Sequence, residues 1–129
     1  MARLGPTPTE LLSAADGLLR DVHPDLAGAW PRAVAILCRQ ALEGSMFDLW
    51  QAKAPGVEDA SYRAQLLCLR SYVDLAVAEC ADETWTALSR ACHHHAYELS
   101  PTAAELGTWL ESVDDLVRVV AKRVPEGEP

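Results

Sequence analysis

The sequence predicts an all-α fold, a single up-and-down bundle of about five helices, and three observations predict it. Apolar residues recur at three- and four-residue steps over most of the 129 positions. Threonine-led helix-start signals precede two of these runs, and proline or glycine falls between several of them. No stretch alternates apolar and polar β-branched residues between hairpin turns, so no strand is expected.

The first helix is announced by Thr7-Pro8-Thr9-Glu10, which supplies an N-cap, a proline at the first helical position and a capping-box glutamate. Leu11, Leu12, Ala15, Leu18, Leu19 and Val22 share one face, and His23-Pro24 is expected to stop the helix. Pro31 opens a long second helix with Val34, Leu37, Cys38, Ala41, Leu42, Met46, Leu49 and Trp50 on a continuous apolar stripe. Pro55-Gly56 marks the strongest break, with Asp59 or Ser61 available to cap the next element. A third helix is expected from about Tyr62 to Glu79, carrying Leu66, Leu67, Leu69, Tyr72, Val73, Leu75 and Ala76. Asp82 is positioned to cap a fourth, about Glu83 to Leu99. After Ser100-Pro101, Thr102 and Glu105 form a second capping box for a fifth helix lined by Leu106, Trp109, Leu110, Val113, Leu116, Val117 and Val120. The expectation is one domain spanning residues 1–129, ordered from about 8 to 122, with short flexible ends.

Charge and composition narrow the function classes. The chain holds 19 acidic against 11 basic residues, a formal charge of -8, so its overall field repels polyanions. Contact with RNA would therefore come from a local arginine cluster. Cys38, Cys68, Cys80 and Cys92 contain no Cys-x-x-Cys pair and fall within apolar helical patterns, which reads as reduced, buried thiols in a cytoplasmic protein. No window approaches the roughly 18 apolar residues of a membrane span, and the first residues lack a signal-peptide core.

The chemistry-bearing stretch is Arg90-Ala91-Cys92-His93-His94-His95-Ala96-Tyr97-Glu98-Leu99, which holds three of the four histidines. At about 100° per residue, Trp85, Leu88, Cys92, Ala96 and Leu99 fall on one arc, the expected buried stripe. Glu83, Arg90, His94, Tyr97 and Glu98 project to the far side, and His95 lies on the flank. Three consecutive histidines point in three directions and do not chelate one ion, so neither a metal nor another cofactor is expected. Acid–base chemistry suits the stretch better: histidine titrates near neutrality, Glu98 stands one turn away, and an arginine holds phosphate oxygens. The alternative is that His95 fills the edge of the core while Arg90 and His94 decorate a solvated face.

Arg90-x4-His95, late in a bundle of four or five helices, resembles the Arg-x(4–6)-His motif of HEPN domains, small helical proteins rich in metal-independent ribonucleases of toxin–antitoxin and phage-defence systems. The run Tyr97-Glu98-Leu99-Ser100-Pro101-Thr102 into a last amphipathic helix is similar to the close of many bacterial members. The resemblance implies a homodimer with the fourth helices adjacent, a composite cleft with Arg90 and His95 from each chain, and an RNA substrate. It makes Arg90, His95 and His94 the candidate catalytic residues and Tyr97 and Glu98 the candidate substrate contacts. An antitoxin or other protein partner is expected, and no membrane. Nuclease-active members commonly carry a polar residue after the arginine; that position is Ala91 here. The chain is thus either a ribonuclease or an inactive derivative of one.

A rival reading is a non-catalytic helical module that binds another protein through an apolar helix face or its acidic surface. Other candidates carry less. Arg63 with Arg70, and Arg32 with Arg39, are spaced to flank a phosphate, and Glu111, Asp114 and Asp115 make an acidic patch. Trp30, Trp50, Trp85 and Trp109 read as core anchors.

Overall fold

Thr7 folds the start of the chain as its neighbours dictate. In the computed structural model, which describes residues 5–21, 28–93 and 99–124, its hydroxyl accepts the Glu10 N–H at 3.1 Å and the Glu10 carboxylate accepts the Thr7 N–H at 3.0 Å. Helix α1 (Pro8–Arg20) then buries Leu11, Leu12 and Ala15. It ends at Arg20, whose guanidinium pairs with Asp16 at 2.9 Å. Val22, His23 and Pro24 lie outside the described residues.

Helix α2 (Trp30–Lys53) has Pro31 in its first turn and buries Val34, Ala35, Cys38, Ala41, Leu42, Ser45, Met46, Leu49 and Trp50. That set is wider than the single stripe of a surface helix because α2 is the central element, packed against every other helix of the bundle. The chain leaves it through Pro55 and Gly56, and Gly56 takes φ +106°, a left-handed conformation that an added Cβ would strain. A single 3₁₀ turn, Val57–Asp59, follows. Ser61 then caps α3 (Tyr62–Leu69) by accepting the Ala64 N–H at 3.2 Å.

Here the structure departs from the sequence expectation. The segment read as one helix from Tyr62 to Glu79 breaks after Leu69, and α4 runs from Leu75 to Cys92, so Asp82 lies inside a helix instead of capping one. The cause is tertiary. The carbonyl of Leu69 accepts the N–H of both Tyr72 (2.9 Å) and Val73 (3.1 Å), which tightens the chain into a turn. That turn sets the Tyr72 ring edge-on to Trp50, with centroids 5.5 Å apart, and puts Val73 into the core. Asp74 then takes an extended conformation at the N-cap position of α4. Of the apolar residues in this segment, Leu67 (58% exposed), Leu75 (54% exposed) and Ala76 face outward.

A polar clamp fixes α3 to α2. The indole N–H of Trp50 donates to Gln65 Oε1 at 2.9 Å, and Gln65 Nε2 donates to the carbonyls of Ala60 (2.8 Å) and Glu58 (3.2 Å). Gln65 is buried with its amide fully engaged, as a buried polar side chain must be.

Helix α5 (Ala103–Arg123) begins with the second capping box, Thr102 and Glu105 exchanging hydrogen bonds of 3.0 Å each way, and buries Leu106, Val113, Leu116 and Val120. Thr102→Ala removes the hydroxyl that accepts the Glu105 N–H and is expected to cost about 1 kcal/mol, readable as a shift in the urea midpoint. α5 packs on α1, α2 and α4, closing a five-helix bundle around one core. Among the described residues there is no strand.

The cysteines divide two and two. Cys38 and Cys92 are buried, whereas Cys68 and Cys80 are exposed, a correction to the expectation of four buried thiols. Burial pushes the Cys38 thiol up to about 12, with the neighbouring Cys92 adding to the effect. Since the thiolate is the reactive form, a thiol reagent is expected to modify Cys68 and Cys80 rapidly in the native protein, and Cys38 and Cys92 on addition of denaturant. Mass spectrometry of the labelled peptides reads the order.

Candidate functional site

The last two turns of α4 build the site. Thr84, Leu88, Ala91 and Cys92 point into the core, and this inward register turns Arg90 out to solvent. Arg90 lies in the last turn, where the helix dipole favours a cation. The helix closes on His93, whose N–H donates to the carbonyls of Ser89 (3.2 Å) and Arg90 (3.1 Å), leaving its side chain exposed three residues beyond Arg90. His94, His95, Tyr97 and Glu98 lie outside the described residues. The chain resumes at Leu99, which is 97% exposed rather than on the buried stripe expected of it, and runs through Thr102 into α5.

Ala91 has a structural explanation. Its side chain is buried at the same helical face as Leu88 and Cys92, so a polar group there would be taken out of water without a built partner. The small apolar residue after the arginine is a packing requirement of this chain.

Arg90 stands at one end of an open groove of about 530 Å³ lined by Arg70, Glu79, Asp82, Glu83, Thr86 and Ala87. Five of its residues share one outward stripe of α4, since 79, 83, 86, 87 and 90 fall within about 100° of arc. Arg70 joins them from the turn after α3. The groove thus brings together two arginines twenty residues apart in sequence, up to about 70 Å in an extended chain, because the α3–α4 turn folds back. Neither Arg70 nor Arg90 forms an ion pair among the described residues.

The other arginines are engaged or lie elsewhere. Arg63 approaches Asp82 at 3.8 Å and sits over the Trp85 ring at 6.0 Å. Arg39 reaches Glu43 at 3.5 Å, and Glu43 also accepts the Trp85 indole N–H at 3.0 Å. Burial raises the Cys92 thiol, and the positive charges of Arg39 and Arg32 oppose that rise. Asp114 of the acidic patch on α5 pairs with Arg118 at 3.0 Å. Trp50 is wholly buried, and Trp30, Trp85 and Trp109 pack half-buried on the core.

Among the described residues no three His, Cys, Asp or Glu side chains stand together as metal ligands, and no helix is long and apolar enough to cross a membrane. Comparison with protein-family models, with curated proteins and with solved structures returns no match.

Proposed function

We propose that this chain is a HEPN-like, metal-independent endoribonuclease or an inactive derivative of one, working in the cytoplasm in a bacterial toxin–antitoxin or defence setting. The observation that carries the reading is Arg90: it is exposed at the end of α4, at the rim of an open groove, directly before the histidine run, with Arg70 on the same groove. A guanidinium so placed is available to a phosphate that approaches from solvent.

In this reading Arg90 holds the scissile phosphate and stabilises the extra negative charge of the phosphorane. His95, with His94 as the competing candidate, accepts the proton of the ribose 2′-hydroxyl as that oxygen attacks phosphorus, and a second histidine from the paired chain protonates the departing 5′-oxygen. The products are a 2′,3′-cyclic phosphate and a 5′-hydroxyl. Tyr97 and Glu98 serve as substrate contacts. The resemblance pairs two chains, with Arg90 and His95 of each contributing to one composite cleft.

A second reading is favoured by the groove's own charge. Glu79, Asp82 and Glu83 outnumber its two arginines, which suits a basic segment of a protein partner and a non-catalytic role. RNA cleavage by the purified protein in excess EDTA, with the product ends identified, separates the two. Cyclic-phosphate products support the ribonuclease; intact RNA under all conditions supports the interaction module.

A further inference from the structure

Away from the groove, α4 meets α2 along a polar seam. Glu43 accepts the Trp85 indole N–H at 3.0 Å, and one turn along each helix from that bond stand Arg39 on α2 and Ser89 on α4. The charges of Arg39 and Arg32, both earlier in α2 than Glu43, act on Cys92 at the last position of α4. The two helices therefore run antiparallel, and the start of α2 lies beside the end of α4. Arg32 and Arg39 are seven residues apart, within about 20° of one another around α2 and roughly 10 Å apart along it.

Arg39 is not satisfied as a structural ion pair would be. Its Nε lies 3.5 Å from the Glu43 oxygen that already accepts Trp85, and this buried Nε, like the buried Oγ of Ser89, forms no hydrogen bond among the described residues. Arg32 is exposed and forms no ion pair among the described residues, and the first turn of α2 holds no acidic residue. A half-buried guanidinium so poorly matched within its own fold calls for another use. Helical arithmetic relates these groups to Arg90. Measured from Arg90 in one sense around α4, His93 lies at about 60°, Ser89 at about 100° and Trp85 at about 140°. The end of α4 thus carries Arg90 on one flank, the exposed His93 next to it, and Arg39 with Arg32 on the other flank. The acidic groove residues Glu79, Asp82 and Glu83 lie toward the opposite end of the helix. A chain of net charge -8 has here a local cationic rim.

We infer that this rim is the track of the RNA strand: Arg90 holds one phosphate, and Arg39 and Arg32 hold further phosphates of the same strand where it crosses the end of α4 past His93. The inference rests on the ribonuclease reading and adds Arg32 and Arg39 to it as positioning residues. Phosphates held on both flanks of the helix fix the strand in register without reading its bases, so one phosphodiester is presented at Arg90.

Fluorescence anisotropy with a short 2′-O-methyl RNA, which lacks the attacking hydroxyl, tests the track in EDTA over a range of salt. The wild-type chain is expected to bind, with log affinity falling linearly against log salt. Each phosphate contact on a single strand contributes about 0.7 to that slope, so Arg32→Ala and Arg39→Ala should each reduce it by about 0.7. The loss of affinity should be the same for oligonucleotides of different sequence. Arg32→Lys retains a point charge and should keep the wild-type slope. Circular dichroism verifies that each variant is folded; if Arg39→Ala is not, Arg32→Ala, at an exposed position, decides alone. A wild-type chain that does not bind the strand, or slopes unchanged in the folded variants, overturns the inference. Lowered slopes with no cleavage of natural RNA keep the track and remove the catalysis, and cleavage with slopes unchanged keeps the ribonuclease and removes the track.

Discussion

Arg90→Ala is expected to lower RNA cleavage by roughly 10²- to 10³-fold, the usual loss when one group that stabilises developing negative charge is removed. The side chain is exposed at the end of α4, and its truncation removes no core contact. Thermal stability should therefore change by no more than about 0.5 kcal/mol. That combination separates a site residue from a structural one. Arg90→Lys keeps the charge but loses the planar fork that binds two phosphate oxygens, so it should recover only part of the lost rate. His95→Ala, compared with His94→Ala, identifies the proton-transfer residue, and the variant that matters should lose roughly 10²- to 10⁴-fold. Equal, undiminished cleavage in all four variants would remove the ribonuclease reading. Cleavage lost in the arginine variants alone would keep the phosphate site and reassign the acid–base role.

The elements legible in the sequence are those fixed by chemistry within four residues. Thr7 with Glu10, and Thr102 with Glu105, close capping boxes whose partners are all local, and both helices begin where these residues stand. The second helix was equally plain, since its apolar steps persist from Val34 to Trp50 without a competing break. The turn after Leu69 was not, because nothing local compels it. Apolar residues continue at helical spacing across 69–78, and what stops the helix is Tyr72 reaching Trp50, twenty-two residues earlier in the chain, together with burial of Val73. Ser71 and Asp74 were the available local signals, a turn residue and an N-cap residue type, and they were outweighed by the periodicity.

The same turn governs what could be read of the site. Helical arithmetic alone puts Arg90 on the solvent side of α4, because that depends only on the neighbouring core positions Leu88 and Cys92. It also accounts for Ala91, which extends the buried sequence Thr84, Leu88, Ala91 at four- and three-residue steps. Arg70 beside Arg90 could not be read, since their meeting depends on how α3 folds back on α4. Cys68 and Cys80 are exposed although both fall within apolar helical patterns, because such a pattern does not by itself tell which of its small residues the neighbouring helices cover.

Trp50→Ala is expected to be the most damaging core substitution, costing roughly 3–5 kcal/mol through lost burial and the cavity left behind. Trp50 is the largest of the wholly buried side chains and sits where α2, α3 and the α3–α4 turn meet. Its loss also removes the donor to Gln65 and the edge contact to Tyr72, so the damage should be uneven. α3 is short, and the Gln65 clamp is a large part of what ties it to α2, whereas α1, α2 and α5 share a broader core. Hydrogen exchange in Trp50→Ala should therefore accelerate first in residues 62–73. Trp50→Phe divides the effect: the ring still fills most of the space, but Gln65 Oε1 loses its donor, and a cost of about 1–3 kcal/mol is expected for the unpaired buried oxygen. Denaturant unfolding of the two variants reads packing against hydrogen bonding directly. Because α3 leads into Arg70, a chain in which α3 loosens before the bundle melts should also lose the Arg70 side of the groove while Arg90, held by α4, stays in place.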